Sequence, residues 1–225
     1  VPATAAGIPA IEELIASGIN VNASLMFSLD DYEAVAQAYV RGIGRCGDPS
    51  QIASVASFFV SRVDTKVDAA LEAIGTSEAL ALRGGAAVAN AKLAYRRFGE
   101  IVGGPDFAKQ AARGARVQRP LWASTSAKNP AYRDVVYVED LIGPDTVNTL
   151  PLNTLEAFRD HGTLARTITE NVAAADALMD QLAGLGIDMR KITSELQVEG
   201  VAAFASSFDH LLAALDAARP GHAAG

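Results

Sequence analysis

Four short apolar runs, rich in β-branched and aromatic residues, alternate along this chain with helical segments, and each run ends in polar residues. They occupy residues 19–27, 54–63, 118–126 and 146–150. Runs of this length bounded by turn residues read as strands. Strands separated by helices pair in parallel through right-handed crossovers, which makes the fold α/β. The first run is the most telling. In Gly18-Ile19-Asn20-Val21-Asn22-Ala23-Ser24-Leu25-Met26-Phe27-Ser28, the polar residues Asn20, Asn22 and Ser24 alternate. A strand turns all three to one face. Polar groups facing inward lose their bonds to water, so they mark a site or are satisfied by a neighbouring strand.

Polar residues at the C-terminal ends of all four strands match the place where (β/α)₈ barrels put their chemistry. A doubly wound open sheet is the rival. It would carry a glycine-rich turn after a strand, whereas Gly84-Gly85 and Gly103-Gly104 fall in or beside helical stretches. Ile8, Ile11, Leu14 and Ile15 give a helix over 8–17 one apolar face, and Gly18 is placed to end it. Ser28, with Asp31 three residues later, is placed to cap a helix running to about residue 41. Residues 42–49 read as a turn-rich connection. Helices are expected at 64–74, 78–102 and 107–116, with a helical or mixed segment at 132–141. Beyond residue 152 the pattern is helical over 154–159, 163–185, 189–196 and 197–219. The last helix carries Val198, Val201, Phe204, Phe208, Leu211, Leu212 and Leu215, and is expected to pack across the body of the domain. The chain thus divides into residues 1–152, C-terminal helices at 153–219 and a flexible tail at 220–225.

The chain has 225 residues, 50% of them hydrophobic, which suffices for one sizeable core. Its net charge of −7 argues against a general nucleic-acid surface, though not against a local phosphate pocket. Cys46 is the single cysteine, which excludes an internal disulfide and a cysteine-based zinc cluster. His161, His210 and His222 lack metal-ligand spacing, and no metal is expected. No uncharged apolar run approaches a membrane span, so a soluble, cytoplasmic protein without membrane or nucleic-acid partners is expected. Glu12-Glu13 and Asp30-Asp31 read as helix-start charges, and Trp122 as core or pocket wall.

Several separated motifs now carry a resemblance. Val1-Pro2-Ala3-Thr4, then Gly7-Ile8-Pro9-Ala10-Ile11-Glu12 and the strand from Gly18 to Ser28, resemble the central signature of transaldolases. Ser57-Phe58-Phe59-Val60-Ser61-Arg62-Val63-Asp64 resembles the family's next strand. Leu121-Trp122-Ala123-Ser124-Thr125-Ser126-Ala127-Lys128-Asn129-Pro130 resembles the one after, in the form of actinobacterial members. The likeness continues through Gly143-Pro144-Asp145-Thr146-Val147-Asn148-Thr149 and the C-terminal helices, covering essentially the whole chain. It implies a (β/α)₈ barrel that transfers a dihydroxyacetone unit from sedoheptulose 7-phosphate to glyceraldehyde 3-phosphate. The family does so through a lysine Schiff base, with no metal or organic cofactor. The imine is the electron sink, and the lysine must be neutral to attack, so burial is expected to lower its pKa. In the family that lysine immediately precedes the segment matching Val1-Pro2-Ala3-Thr4. By resemblance, then, residues 1–152 run from the end of the fourth barrel strand to the eighth, and the chain alone is expected to be inactive.

The resemblance also implies roles. Asn22 matches an asparagine that hydrogen-bonds the bound intermediate, and Ser24 a residue that helps hold the catalytic water. Arg62 matches a phosphate-binding arginine, and otherwise reads as a salt bridge to Asp64 or a nearby glutamate. Ser57 and Ser124 match family site serines and are grouped with Arg62 as phosphate-binding residues, although strand alternation puts Ser57 on the side opposite Arg62. Where relatives carry a second phosphate-binding arginine this chain has Ser126, so Lys128 is the candidate for the second positive charge, with a solvated loop lysine as its ordinary reading. The expected partners are sugar phosphates and either the N-terminal part of the same protein or another copy, because half a barrel exposes parallel sheet edges. Three alternatives stay open. One is a fructose 6-phosphate aldolase-like lyase, disfavoured by the long helical extension from Thr163. Another is a non-catalytic sugar-phosphate-binding module. In the third, Lys128 itself forms the imine, from a loop that offers little desolvation.

Overall fold

The computed structural model describes residues 1–218, so the expected flexible tail at 220–225, with His222, lies outside the described residues. In chain order the elements are α1 (Gly7–Ala16), β1 (Val21–Met26), α2 (Leu29–Arg45), β2 (Ser54–Phe59), α3 (Ser61–Ile74), α4 (Ser77–Leu80) and α5 (Ala86–Val102). They continue with α6 (Pro105–Ala111), β3 (Arg119–Ala123), α7 (Val136–Glu139), β4 (Val147–Asn148), α8 (Leu152–His161), α9 (Val172–Gly184) and α10 (Met189–Ala218).

The strands form one parallel sheet in sequential order, β1-β2-β3-β4. A doubly wound sheet reverses its strand order at a switch point. Sequential order is what a barrel wall requires. Residues 1–3 extend the sheet beyond β1: Ala3 N donates to Ser24 O at 2.7 Å, Ser24 N donates to Val1 O at 2.8 Å, and Pro2 bridges Ser24 in parallel. One face of the sheet is sealed by helices. Val21, Ala23, Ala56, Phe58 and Trp122 lie on it, and none is more than 5% exposed. Phe58 meets Tyr32 and Trp122 edge-on, each with ring centroids 6.2 Å apart. Such pairs add about 0.5–1.5 kcal/mol to the burial itself. Trp122 is fully buried core, and its Nε1 donates to Leu141 O at 3.1 Å.

Two caps form as the sequence predicts. Ser28 Oγ accepts from Asp31 N at 3.0 Å. Gly18 takes φ +84° after α1, where Ile19 N returns to Leu14 O at 3.0 Å. Elsewhere the boundaries move. Gly42 lies inside α2 rather than in a turn, because α1 and α2 cross so closely there that a Cβ would stand 2.7 Å from Glu12 O. The single helix expected over 78–102 is broken at Gly84, whose φ is +74°. The second strand stops at Phe59 instead of Val63, since Val60 N and Ser61 N turn to Ala123 O and Ser124 O, at 2.9 and 3.0 Å. Helix α3 then begins at Ser61.

The two final helices expected at 189–196 and 197–219 are one, α10. Its first half is docked. Thr193, Leu196 and Gly200 are buried, Lys66 reaches Glu195 and Glu199 at 2.8 and 2.7 Å, and Gln197 Nε2 donates to Ala3 O at 2.9 Å. Its second half does not pack across the body as expected. Phe204, Phe208, Leu211, Leu212 and Leu215 are 45–59% exposed, with nothing among the described residues covering them. By length and composition alone α10 would suffice to cross a membrane.

Candidate active site

The second face of the sheet is less covered than the first, and the sequence-predicted residues gather there. Parallel register sets Asn22 opposite Val55, and Ser57 opposite Leu121. Asn22, Ser24, Ser57 and Phe59 therefore share that face. Ser57 Oγ donates to Asn22 Oδ1 at 2.7 Å. This bond fixes the amide and leaves its NH₂ donors without a partner among the described residues. Ser57, grouped by resemblance with the phosphate-binding residues, is thus brought together with Asn22 across the β1–β2 pair. Ser24 is half-buried beside the 1–3 segment. Asn20 does not join the polar face. It precedes β1, and its Oδ1 accepts from Ala53 N at 2.8 Å.

Just past Ser24 the alternation breaks. Leu25 has φ +59°, and the register steps from Ala23 opposite Ala56 to Met26 opposite Phe58. A leucine in the left-handed region costs about 1–3 kcal/mol and persists only where its surroundings hold it. Here Gly200 of α10 holds it: a Cβ on that glycine would lie 2.9 Å from Leu25 Cδ2. Ser124, directly after β3, is likewise left-handed at φ +56°. Both departures from ordinary backbone adjoin or occupy predicted site positions.

A second group sits at the C-terminal ends of β2 and β3. Arg62 lies in the first turn of α3, not on a strand, so strand alternation does not govern where it points. Its Cζ stands 5.8 Å from the Phe59 ring centroid. Among the described residues it makes no ion pair. Asp64, the expected salt-bridge partner, instead accepts from Tyr137 Oη and Ala87 N, each at 2.7 Å. Ser61 and Ser124 pair through their hydroxyls at 2.9 Å. Lys128 is exposed, and its Nζ donates to Ser126 Oγ at 2.8 Å. The positive end of the α3 dipole adds to the two cationic side chains at this edge.

Sequence reasoning missed Ser61, Phe59 as the surface under Arg62, and Asp64 as an anchor. All three follow from the helix starting at Ser61, which the β-branched Val60 and Val63 disguise as continued strand. Asp64 is 1% exposed, and burial pushes its carboxyl up to about 6 against the opposing hydrogen bonds from Tyr137 and Ala87. Burial likewise raises Asp31, which receives a hydrogen bond from Gln197 at 3.2 Å. Burial and the adjoining Asp64 raise the Tyr137 phenol.

Comparison with known proteins bears on the family of the chain. The family model described as transaldolase/fructose-6-phosphate aldolase matches residues 1–215. A transaldolase of Mycolicibacterium smegmatis is 52% identical over 228 residues, covering 97% of this chain and 62% of the relative. One from a Parafrankia species is 51% identical over 217 residues, covering 94% and 59%. Transaldolase 1 of Streptomyces coelicolor is 47% identical over 220 residues, covering 96% and 58%. The chain spans about three-fifths of the length of these relatives. With a parallel α/β sheet in sequential order and a family match over nearly its whole length, the chain belongs to the transaldolase/fructose-6-phosphate aldolase family.

Proposed function

We propose that these residues form the C-terminal part of a cytoplasmic transaldolase. The full-length protein transfers a dihydroxyacetone unit from sedoheptulose 7-phosphate to glyceraldehyde 3-phosphate through a lysine Schiff base. The observation that carries the reading is the Asn22–Ser57 pair beside the strand edge formed by residues 1–3. Pro2 stands opposite Ser24 across that edge. By strand alternation, the position just before Val1 falls level with Asn22 on the same face. A lysine at that position would share the face that carries the Asn22 amide.

In this reading the neutral amine attacks the donor carbonyl, and loss of water with uptake of one proton leaves the protonated imine. That imine takes up the electron pair released when the bond between the carbons α and β to it breaks. The β-hydroxyl gives up its proton, and the leaving fragment departs as an aldehyde. The Asn22 amide, oriented by Ser57, donates to an oxygen of the bound chain, and the Ser24 hydroxyl holds the water that enters and leaves. Arg62, unpaired and backed by Phe59, takes the substrate phosphate with Ser124 and Lys128. The rest of the full-length protein covers the exposed Asn22 on the less covered sheet face and the apolar stripe of α10.

The test is turnover by the full-length protein. Formation of erythrose 4-phosphate and fructose 6-phosphate from the two substrates is the expected result. Release of free dihydroxyacetone from fructose 6-phosphate without an acceptor would indicate the aldolase alternative. Binding of these sugars with neither reaction would leave a non-catalytic module.

A further inference from the structure

The mechanism leaves unused two carboxylates of α3, Asp64 and Asp68, which are 1% and 7% exposed. They stand four residues apart and so face the same side of the helix. Each receives a tyrosine hydroxyl from the segment after β3: Tyr137 Oη donates to Asp64 at 2.7 Å, and Tyr132 Oη donates to Asp68 at 2.6 Å. Each also receives a backbone N–H from the start of α5 or the turn before it, Ala87 on Asp64 at 2.7 Å and Gly84 on Asp68 at 2.9 Å.

We propose that Asp64 and Asp68 are positioning residues: through Tyr137 and Tyr132 they strap the segment after β3 onto α3, and so hold Ser124 and Lys128 in place for a substrate phosphate. The inference rests on the phosphate reading of Arg62 and Lys128 given above. Its mechanical link is short. Tyr132 N donates to Asn129 O at 3.1 Å and Ala131 N to Asn129 Oδ1 at 2.9 Å, so the turn beginning directly after Lys128 is closed on itself. A tyrosine anchored at one end of that turn fixes the lysine at the other. The seat for Tyr132 is built for it. Gly84 has φ +74°, and a Cβ there would stand 2.8 Å from Tyr132 Cζ. At the other end of the segment, Ser61 N donates to Ser124 O at 3.0 Å, and the two hydroxyls pair at 2.9 Å. Ser61, Asp64, Asp68, Lys128, Tyr132 and Tyr137 line one cavity of about 210 Å³.

The physical argument is preorganisation. An exposed lysine on a free loop pays backbone and side-chain entropy when it closes on an anion. Hydrogen bonds to a buried charge are stronger than neutral ones, and losing the tyrosine leaves the carboxylate short of a partner. The strap therefore removes most of the loop's freedom before substrate arrives.

Tyr132→Phe and Tyr137→Phe in the full-length protein test this with two readouts. Amide exchange of residues 124–134 should speed up about tenfold in Tyr132→Phe, in proportion to one lost charge-assisted bond. With fructose 6-phosphate as saturating donor, KM for erythrose 4-phosphate should rise about tenfold while kcat stays within about twofold, and kcat/KM for unphosphorylated erythrose should not move. Unchanged exchange, or equal losses with both acceptors, would overturn the strap. Absence of turnover in the unmutated protein would defeat the transaldolase reading instead, and the exchange measurement would still decide the strap.

Discussion

Asn22 presents an amide whose oxygen is taken by Ser57 and whose NH₂ has no partner among the described residues, which the proposed mechanism gives to the substrate. Removing a donor of this kind, aimed at a reacting centre, costs about 10²–10³ in kcat. Asn22→Ala in the full-length protein should lose that much, and Ser57→Ala about tenfold, since the serine acts only by orienting the amide. Near-normal kcat with an unchanged circular dichroism spectrum would remove Asn22 from the mechanism. Asp64 carries a second residue-scale prediction. Its carboxyl is raised to about 6 in the folded state, so between the unfolded value and 6 the folded state binds the proton more tightly. The resulting stabilisation is complete below the unfolded pKa and is lost as pH rises through 6. The gap corresponds to about 3 kcal/mol. Asp64→Asn cannot titrate, so it should gain on the parent by up to about that amount between pH 4 and pH 7 in denaturant unfolding. A constant difference across that range would mean that Asp64 does not titrate as described.

At the scale of elements, Gly42 and Arg62 show what a sequence hides and what it discloses. The cap at Ser28, the left-handed Gly18 and the four parallel strands were legible, because each depends on local chemistry or on hydrophobic period. Gly42 was not, since its meaning lies in the helix opposite. There, helix propensity and packing compete. Alanine gains about 1 kcal/mol of propensity over glycine inside a helix, but its Cβ would stand 2.7 Å from Glu12 O and 2.9 Å from the Ile15 side chain. Backbone cannot yield cheaply, and overpacking costs roughly 1–3 kcal/mol. Gly42→Ala should therefore lower the unfolding midpoint in denaturant, and a raised midpoint would show that α1 and α2 slide apart freely. The end of β2 was hidden for a related reason. Val60 and Val63 have strand character, and only pairing with Ala123 and Ser124 reveals that the chain turns into α3. Alternation correctly predicted that Asn22 and Ser24 share a face. It could not tell that Ala53 N claims Asn20. For the proposed phosphate edge, Arg62→Ala should raise KM for phosphorylated acceptors about 10²-fold, the loss of a bidentate charge-assisted contact. An unmoved KM would place the phosphate elsewhere.

At the scale of the whole molecule, the sheet has one sealed face and one less covered face on which Asn22 is exposed, and half of α10 stands uncovered. Parallel sheets are stable when both faces are covered, and an apolar stripe of this size marks an interface. Residues 1–225 produced alone should therefore self-associate in light scattering, and co-production with the rest of the full-length protein should suppress this. Cooperative unfolding of a monomer of these residues would contradict the account, and so would partition of α10 into lipid vesicles from the full-length protein. The central claim is that imine chemistry takes place beside Asn22, on the strand edge formed by residues 1–3. Borohydride reduction of the full-length protein with labelled fructose 6-phosphate, followed by peptide mapping, tests it most directly. The account predicts a single labelled lysine immediately before Val1, whereas label on Lys128 or no label at all would contradict it.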